Sequence, residues 1–366
     1  FHAIVLCGAG KALVPFSHAR VTGSPKALLP IANKPMIEYV LEYCNKAVFP
    51  QVTVVCSQAD CEDISATVTD FKAKQSNLRQ EKSAGEDVAP SLDISVFVAD
   101  LEHSGSILLD LFKAQIVKMQ HFVVLPCDFV TDLPPQVFIE AYRARDDSVA
   151  ALWVAYKNQF TAIEDKKRKI FKKVYTAYAE TEGGHHRLLD FFQNDDVLYH
   201  KSLNLRTQMA WRHSNTTVSS KLLPSGIMFG HVQQIRTILE DEYLELYLSH
   251  RPAAKVVRDL ARRLWKRSQE LESIGLFIVP EQATFFRSNS LPVYMEANRY
   301  FMQLQAQERQ GAPPKDKSIG HDSMIGDKTF LGERCTITRN VVVKYCTIGS
   351  RVNLTGCATL YNVSID

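Results

Sequence analysis

Apolar residues fall in short unbroken runs through the first half of the chain. Ala3-Ile4-Val5-Leu6 suits a buried first strand of a parallel sheet, and Gln51-Val52-Thr53-Val54-Val55-Cys56, Asp93-Ile94-Ser95-Val96-Phe97-Val98, Phe122-Val123-Val124-Leu125 and Val149-Ala150-Ala151-Leu152-Trp153-Val154 read as four further strands. Helical spacing appears between them, from Met36 with Pro35 at the first turn, and from Ile107 to Val117. This alternation predicts a doubly wound α/β sheet with its ligand crevice at the carboxyl ends of the strands. Lys74 to Ala89 is polar and patternless and reads as a loop or disordered insert. Leu222 to Phe229 reads as a returning strand, followed by a helical block from His231 to about Glu272. In that block Val256, Val257, Leu260 and Leu264 predict a core-facing stripe, with Arg258, Arg262, Lys266 and Arg267 toward water.

The pattern changes near the C-terminus. Gln305 to Lys317, with Gly311-Ala312-Pro313-Pro314, reads as a boundary between a domain at 1–308 and another at 309–366. Beyond it, aliphatic residues recur at Ile325, Leu331, Ile337 and Val343, then after a shorter step at Ile348, Leu354 and Leu360. A six-residue period predicts a left-handed parallel β-helix of hexapeptide repeats, each hexad forming one wall of a three-sided coil. No polar capping turn follows Ser364-Ile365-Asp366, so this domain is expected to be truncated or covered there. His321 is the one histidine near the repeat, too little for an acyltransferase.

A chain of 366 residues can bury a large core. No apolar run reaches the length of a membrane span and no signal peptide is visible; the start at Phe1 suggests a trimmed N-terminus. The eight cysteines show no C-x-x-C spacing and read as reduced, buried thiols of a cytosolic protein, with no disulfide frame or zinc site. A net charge of +3 gives no argument for nucleic acid. The basic cluster Lys166-Lys167-Arg168-Lys169 with Lys172-Lys173 has two readings, a solvated loop or a contact for an acidic partner or RNA. His185-His186 lacks metal-ligand spacing and reads as surface.

The chemistry concentrates between Leu6 and Pro35. Gly8-Ala9-Gly10 follows the first apolar run, and backbone N–H groups there can face a phosphate or simply make a tight turn. Leu13 and Pro15 follow, then Ser24-Pro25-Lys26-Ala27-Leu28-Leu29-Pro30. This pairing resembles the signature of nucleotide-sugar pyrophosphorylases, a nucleotidyltransferase-like, Rossmann-like family. The resemblance implies a nucleotide pocket at Gly8, Gly10 and Lys26, with Asp128 in Pro126-Cys127-Asp128 at the position of a Mg²⁺ aspartate. Asp128 alone reads equally as a turn residue bonding its own backbone.

Three parts of the family's apparatus are missing. Ala12 stands at the position of the arginine that grips phosphates, and Lys11 beside it lacks the planar fork. The second metal aspartate, counted back from Glu296-Ala297-Asn298, falls on Arg287. The Glu-Lys-Pro tripeptide that holds the sugar phosphate is absent. Losing such charges from nucleotidyl transfer costs orders of magnitude in rate. The expectation is a vestigial pocket at most, with no catalytic residue, metal or cofactor.

A degenerate pyrophosphorylase-like domain followed by hexapeptide repeats resembles the pyrophosphorylase-like subunits of the guanine-nucleotide exchange factor for translation initiation factor 2. Leu125-Pro126-Cys127-Asp128-Phe129-Val130-Thr131-Asp132-Leu133-Pro134 and Cys346-Thr347-Ile348-Gly349 carry that resemblance. It implies a cytoplasmic, non-catalytic scaffold. Its partners would be a paralogous epsilon subunit that carries the exchange activity, alpha, beta and delta subunits, and initiation factor 2 itself. No membrane or direct nucleic-acid contact is implied. The alternatives are a sugar-1-phosphate nucleotidyltransferase with unusual residues, or a regulatory subunit of one.

Overall fold

A computed structural model describes residues 1–17, 23–82, 92–99, 103–146, 148–160, 170–181, 183–239, 251–266, 273–308, 324–325, 329–332, 334–338, 342–344, 346–355, 359–361 and 363–365. The chain separates into two compact units, Phe1–Ala9 with Tyr39–Arg287, and Gly10–Glu38 with Ser288–Asp366.

The first unit is built on a ten-stranded mixed sheet. Its strands are β1 (His2–Leu6), β2 (Gln51–Cys56), β3 (Asp93–Val98), β4 (His121–Pro126), β5 (Val149–Lys157), β6 (Val174–Glu180), β7 (His186–Gln193), β8 (Thr216–Ser219), β9 (Leu222–His231) and β10 (Ser273–Ile278). Their order is β8-β6-β7-β10-β5-β9-β4-β1-β2-β3. The segment β3-β2-β1-β4 is parallel, with Ile4 opposite both Thr53 and Val124. These are four of the apolar runs; the central residues of β1, β2 and β4 are buried because they have neighbours on both edges and both faces, whereas β3 is the edge strand and buries only Ile94. The returning strand β9 inserts antiparallel between β4 and β5, and β10 runs parallel on the far side of β5. One large core cluster joins Ile4, Val124, Trp153 and Met228 of the sheet to Leu108 and Leu111 of the helix Ser104–Lys113 and to Val257 and Leu260 of the helix Ala253–Lys266.

Three expectations are corrected. Residues 74–82, expected as loop, continue the helix Cys61–Lys82. Ile64, Val68 and Phe71 anchor its first half in the core, and propagation from an anchored helix carries the polar turns along. The helix expected from Ile107 to Val117 ends at Lys113, where Gln115 turns left-handed at φ 53° and the Ile116 N–H returns to the Leu111 carbonyl. Arg258 and Arg262 do not face water. Asp190 of β7 is 2 % exposed, and Arg262 Nε donates to both of its oxygens at 2.9 Å. Burial pushes the Asp190 carboxyl above its ordinary value, opposed by the hydrogen bond and charge of Arg262 and the charge of Arg258.

In the second unit the helix Leu291–Glu308 organises a tight hairpin, Pro30–Ile31 against Lys34–Pro35. Ala32 and Asn33 turn at φ 49° and 63°. Asn298 Oδ1 accepts the Ala32 N–H at 2.9 Å, and the Tyr294 hydroxyl donates to the Pro30 carbonyl. Asn33 Nδ2 donates to the Ile348 carbonyl at 2.6 Å. The aliphatic repeat falls on short parallel strands in three small sheets. Met324–Ile325 pairs with Val342–Lys344 and this with Thr359–Tyr361; Phe330–Leu331 pairs with Thr347–Ile348 and this with Ser364–Ile365; Thr336–Thr338 pairs with Asn353–Thr355. Each aliphatic position therefore meets the one three repeats later, and Ile337, Val343 and Ile348 are buried with Cys335 and Cys346. The expected boundary at 309 and His321 lie outside the described residues.

Candidate functional site

The carboxyl ends of β1 and β4 lie side by side. The Cys7 N–H bonds the Val55 carbonyl at 2.9 Å, and the Cys127 N–H bonds the Leu6 carbonyl at 3.2 Å. This fixes Gly8 just past β1 and Asp128 just past β4. The chain then forms a short strand, Phe129–Thr131, antiparallel to Phe285–Arg287, with Phe129 opposite Arg287. That register delivers the Arg287 guanidinium to Asp128. Nε lies 2.8 Å from Oδ1, and Nη2 lies 3.0 Å from Oδ2 and 2.7 Å from Oδ1, a two-pronged grip. Asp128 is fully buried and the Arg287 side chain is 23 % exposed.

Neighbouring groups support the pair. Ser225 Oγ donates to the Val154 carbonyl at 2.6 Å and accepts the Ile227 N–H at 3.0 Å, stabilising a bulge where β9 slips against β5. The bulge places Gly226 at φ +79°, and a β-carbon there would sit 3.1 Å from Arg287 Nη1. Gly226 thus provides both the left-handed turn and the clearance the guanidinium needs. Burial of Arg287 works against its charge, but the charge and hydrogen bonds of Asp128 outweigh it and hold the guanidinium above its ordinary pKa. Burial pushes the Tyr156 hydroxyl up to about 12, with Arg287 pulling it back and Asp128 adding to the rise.

These residues do not fit the Mg²⁺ that the pyrophosphorylase resemblance implies. Hard cations need oxygen ligands, and both Asp128 oxygens already accept from a fixed positive group. Among the described residues no group of three or more His, Cys, Asp and Glu stands together to hold a metal.

The other expected residues belong to the second unit. Gly10 is left-handed at φ 67°, and a β-carbon there would stand 2.9 Å from Lys26 Cβ, so glycine lets the Lys26 stem pass. Ser17 Oγ donates to the Gly10 carbonyl at 2.7 Å. Lys26 is 8 % exposed. Ala12 lies exposed on the short turn Lys11–Leu13. The structure thus brings Gly10 to Lys26 and Asp128 to Arg287, while Gly8 closes β1. Gly226 and Tyr156 were missed; the break Pro224-Ser225-Gly226 in an apolar strand was their one visible signal. Lys166 to Lys169 lie outside the described residues. His186 sits within β7, its ring against Tyr178, while His185 is exposed.

Residues 2–162 match the nucleotidyl transferase family. The chain is 26 % identical to translation initiation factor eIF2B subunit gamma of Schizosaccharomyces pombe, over 93 % of this chain and 73 % of that protein. A segment covering 16 % of the chain is 41 % identical to part of a bifunctional sugar-1-phosphate nucleotidylyltransferase/acetyltransferase of Sulfurisphaera tokodaii, over 14 % of that protein. The fold is similar to that of a Bacillus anthracis protein assigned as a glucose-1-phosphate thymidylyltransferase. That likeness has a TM-score of 0.53 at 11 % identity, over 81 % of this chain and 93 % of the other. With its nucleotidyl transferase segment at 2–162 and a likeness along nearly its whole length, the chain is similar to an eIF2B gamma subunit.

Proposed function

We propose that this chain is a non-catalytic scaffold and regulatory subunit of the guanine-nucleotide exchange factor that acts on translation initiation factor 2. In this reading it supports GDP-to-GTP exchange in the cytoplasm through a paralogous epsilon partner, alongside alpha, beta and delta subunits. One observation carries the loss of catalysis. Arg287 occupies the place where the resemblance puts a second metal carboxylate, and its guanidinium holds the first, Asp128. Ala12 removes the phosphate-gripping arginine as well. Any vestigial nucleotide pocket then lacks its transition-state charges. The three small parallel sheets form a left-handed β-helix, the second domain from 309 to 366, and its walls serve as assembly surface.

Two assays test this reading. Magnesium-dependent pyrophosphate release, measured over several nucleoside triphosphates and sugar 1-phosphates, is expected to stay at background. Mass spectrometry of proteins that co-purify with the native chain is expected to find the exchange-factor subunits and initiation factor 2. Enzyme-like turnover would overturn the scaffold reading. Recovery of sugar-nucleotide enzymes would favour the alternative, a regulatory subunit of a nucleotidyltransferase, to which the Sulfurisphaera tokodaii segment lends support.

A further inference from the structure

An open cleft of about 860 Å³ in the first unit gathers four lysines, Lys157, Lys172, Lys173 and Lys221. They converge from three segments. Lys157 ends β5, Lys172 and Lys173 lead into β6, and Lys221 lies in the turn between β8 and β9. Among the residues lining the cleft one is acidic, Glu281, and it pairs with Lys157. Lys172 pairs with Asp195 at 2.8 Å. No ion pair of Lys173 or Lys221 is found among the described residues. Both existing pairs are exposed, with Lys172 at 79 % and Glu281 at 66 %. Such pairs hold their carboxylates weakly and can exchange them for others. The hydrogen bond from Lys157, then its charge, hold the Glu281 carboxyl below its ordinary value, and Lys221 adds to this.

We propose that this cleft docks an acidic peptide segment of a partner protein. The charge is complementary, and two of the lysines already show the geometry of carboxylate capture. Leu223 and Val279 give the cleft an apolar floor against which the stems of acidic side chains can lie. A nucleic-acid strand would need stacking faces, and Tyr156, one of the two aromatic residues here, is buried. The inference stands apart from the assembly reading, because it rests on the cleft alone.

Fluorescence anisotropy with a labelled polyglutamate peptide of about ten residues tests it on the whole chain, beside a uridine oligonucleotide of matched length. The expected result is saturable polyglutamate binding that weakens as NaCl rises from about 50 to about 300 mM. Lys173→Glu with Lys221→Glu is expected to weaken it about tenfold, whereas the charge-matched pair Lys46→Glu with Lys118→Glu, outside the cleft, changes it less than about twofold. Should the first pair disturb folding, Lys173→Gln with Lys221→Gln gives the same comparison with a smaller loss. No polyglutamate binding, equal loss in both sets of variants, or tighter binding of the oligonucleotide would overturn the proposal.

Discussion

Replacing Arg287 by alanine removes the guanidinium from both oxygens of a fully buried carboxylate. Removing one partner of a buried ion pair costs about 3–5 kcal/mol. Because the Arg287 side chain keeps 23 % of its surface in water, solvent can enter the vacated space, which places the cost near the lower end, about 3 kcal/mol. For a unit of this size that corresponds to a fall in Tm of roughly 6–12 °C. Asp128→Asn keeps the shape and strands the arginine instead, at about 1–3 kcal/mol. The informative measurement is the cycle of Asp128→Asn, Arg287→Met and the double variant, followed by urea unfolding at neutral pH. A coupling of about 2 kcal/mol or more is expected, since the double variant buries no unpaired charge. The deficit of Arg287→Ala is also expected to shrink on acidification, because a proton can take the place of the lost cation. Additivity within about 0.5 kcal/mol would refute the claim that the guanidinium and the carboxylate stabilise each other.

Arg287→Asp places two carboxylates together, so this variant is expected to gain Tm on Mn²⁺ titration. The stabilisation would reach about 2.7 kcal/mol at a hundredfold excess over Kd, with the parent chain unresponsive, and no response in the variant would show that position 287 does not face a cation. Asn298→Ala strips the Ala32 N–H of its buried acceptor, an expected loss of about 1–3 kcal/mol with faster hydrogen exchange at Ala32, whereas Asn298→Asp keeps the acceptor and most of the protection. Burial lowers the His2 pKa to about 4, with Asp93 opposing it. Below about pH 6.5 the unfolded chain therefore binds a proton that the native ring refuses, and stability falls from there toward pH 4 by about 2–3 kcal/mol. Equilibrium unfolding across that window should show the slope flattened in His2→Gln.

The parallel half of the sheet was legible because β1, β2 and β4 are covered on both faces and so written as nearly unbroken apolar runs, and because the edge strand β3 still carries alternate large apolar residues. In the antiparallel half β9 was legible as a returning strand, whereas β6, β7 and β8 were not. β7 carries Asp190 inward at a slip in register and satisfies it with an arginine 72 residues away, which breaks any period-two signal within the strand. The same arginine read as a water-facing residue because helical spacing says where a side chain points and nothing about a charge buried opposite. At the site, an arginine at position 287 where the resemblance implies a metal aspartate was visible in the chain. Its grip on Asp128 was not, since that depends on the register of two three-residue strands more than 150 positions apart. The aliphatic repeat, by contrast, marked where the short strands of the second unit fall, each pairing with a strand 17 or 18 residues along the chain.

The Asp128–Arg287 contact also bears on whether the old chemistry could return. At this carboxylate the chain supplies its own permanent counter-ion. Reversion at position 287 alone would first pass through two confronted negative groups, a state less stable than either neighbour in sequence space. The contact that stabilises the first unit therefore also opposes a second carboxylate at position 287.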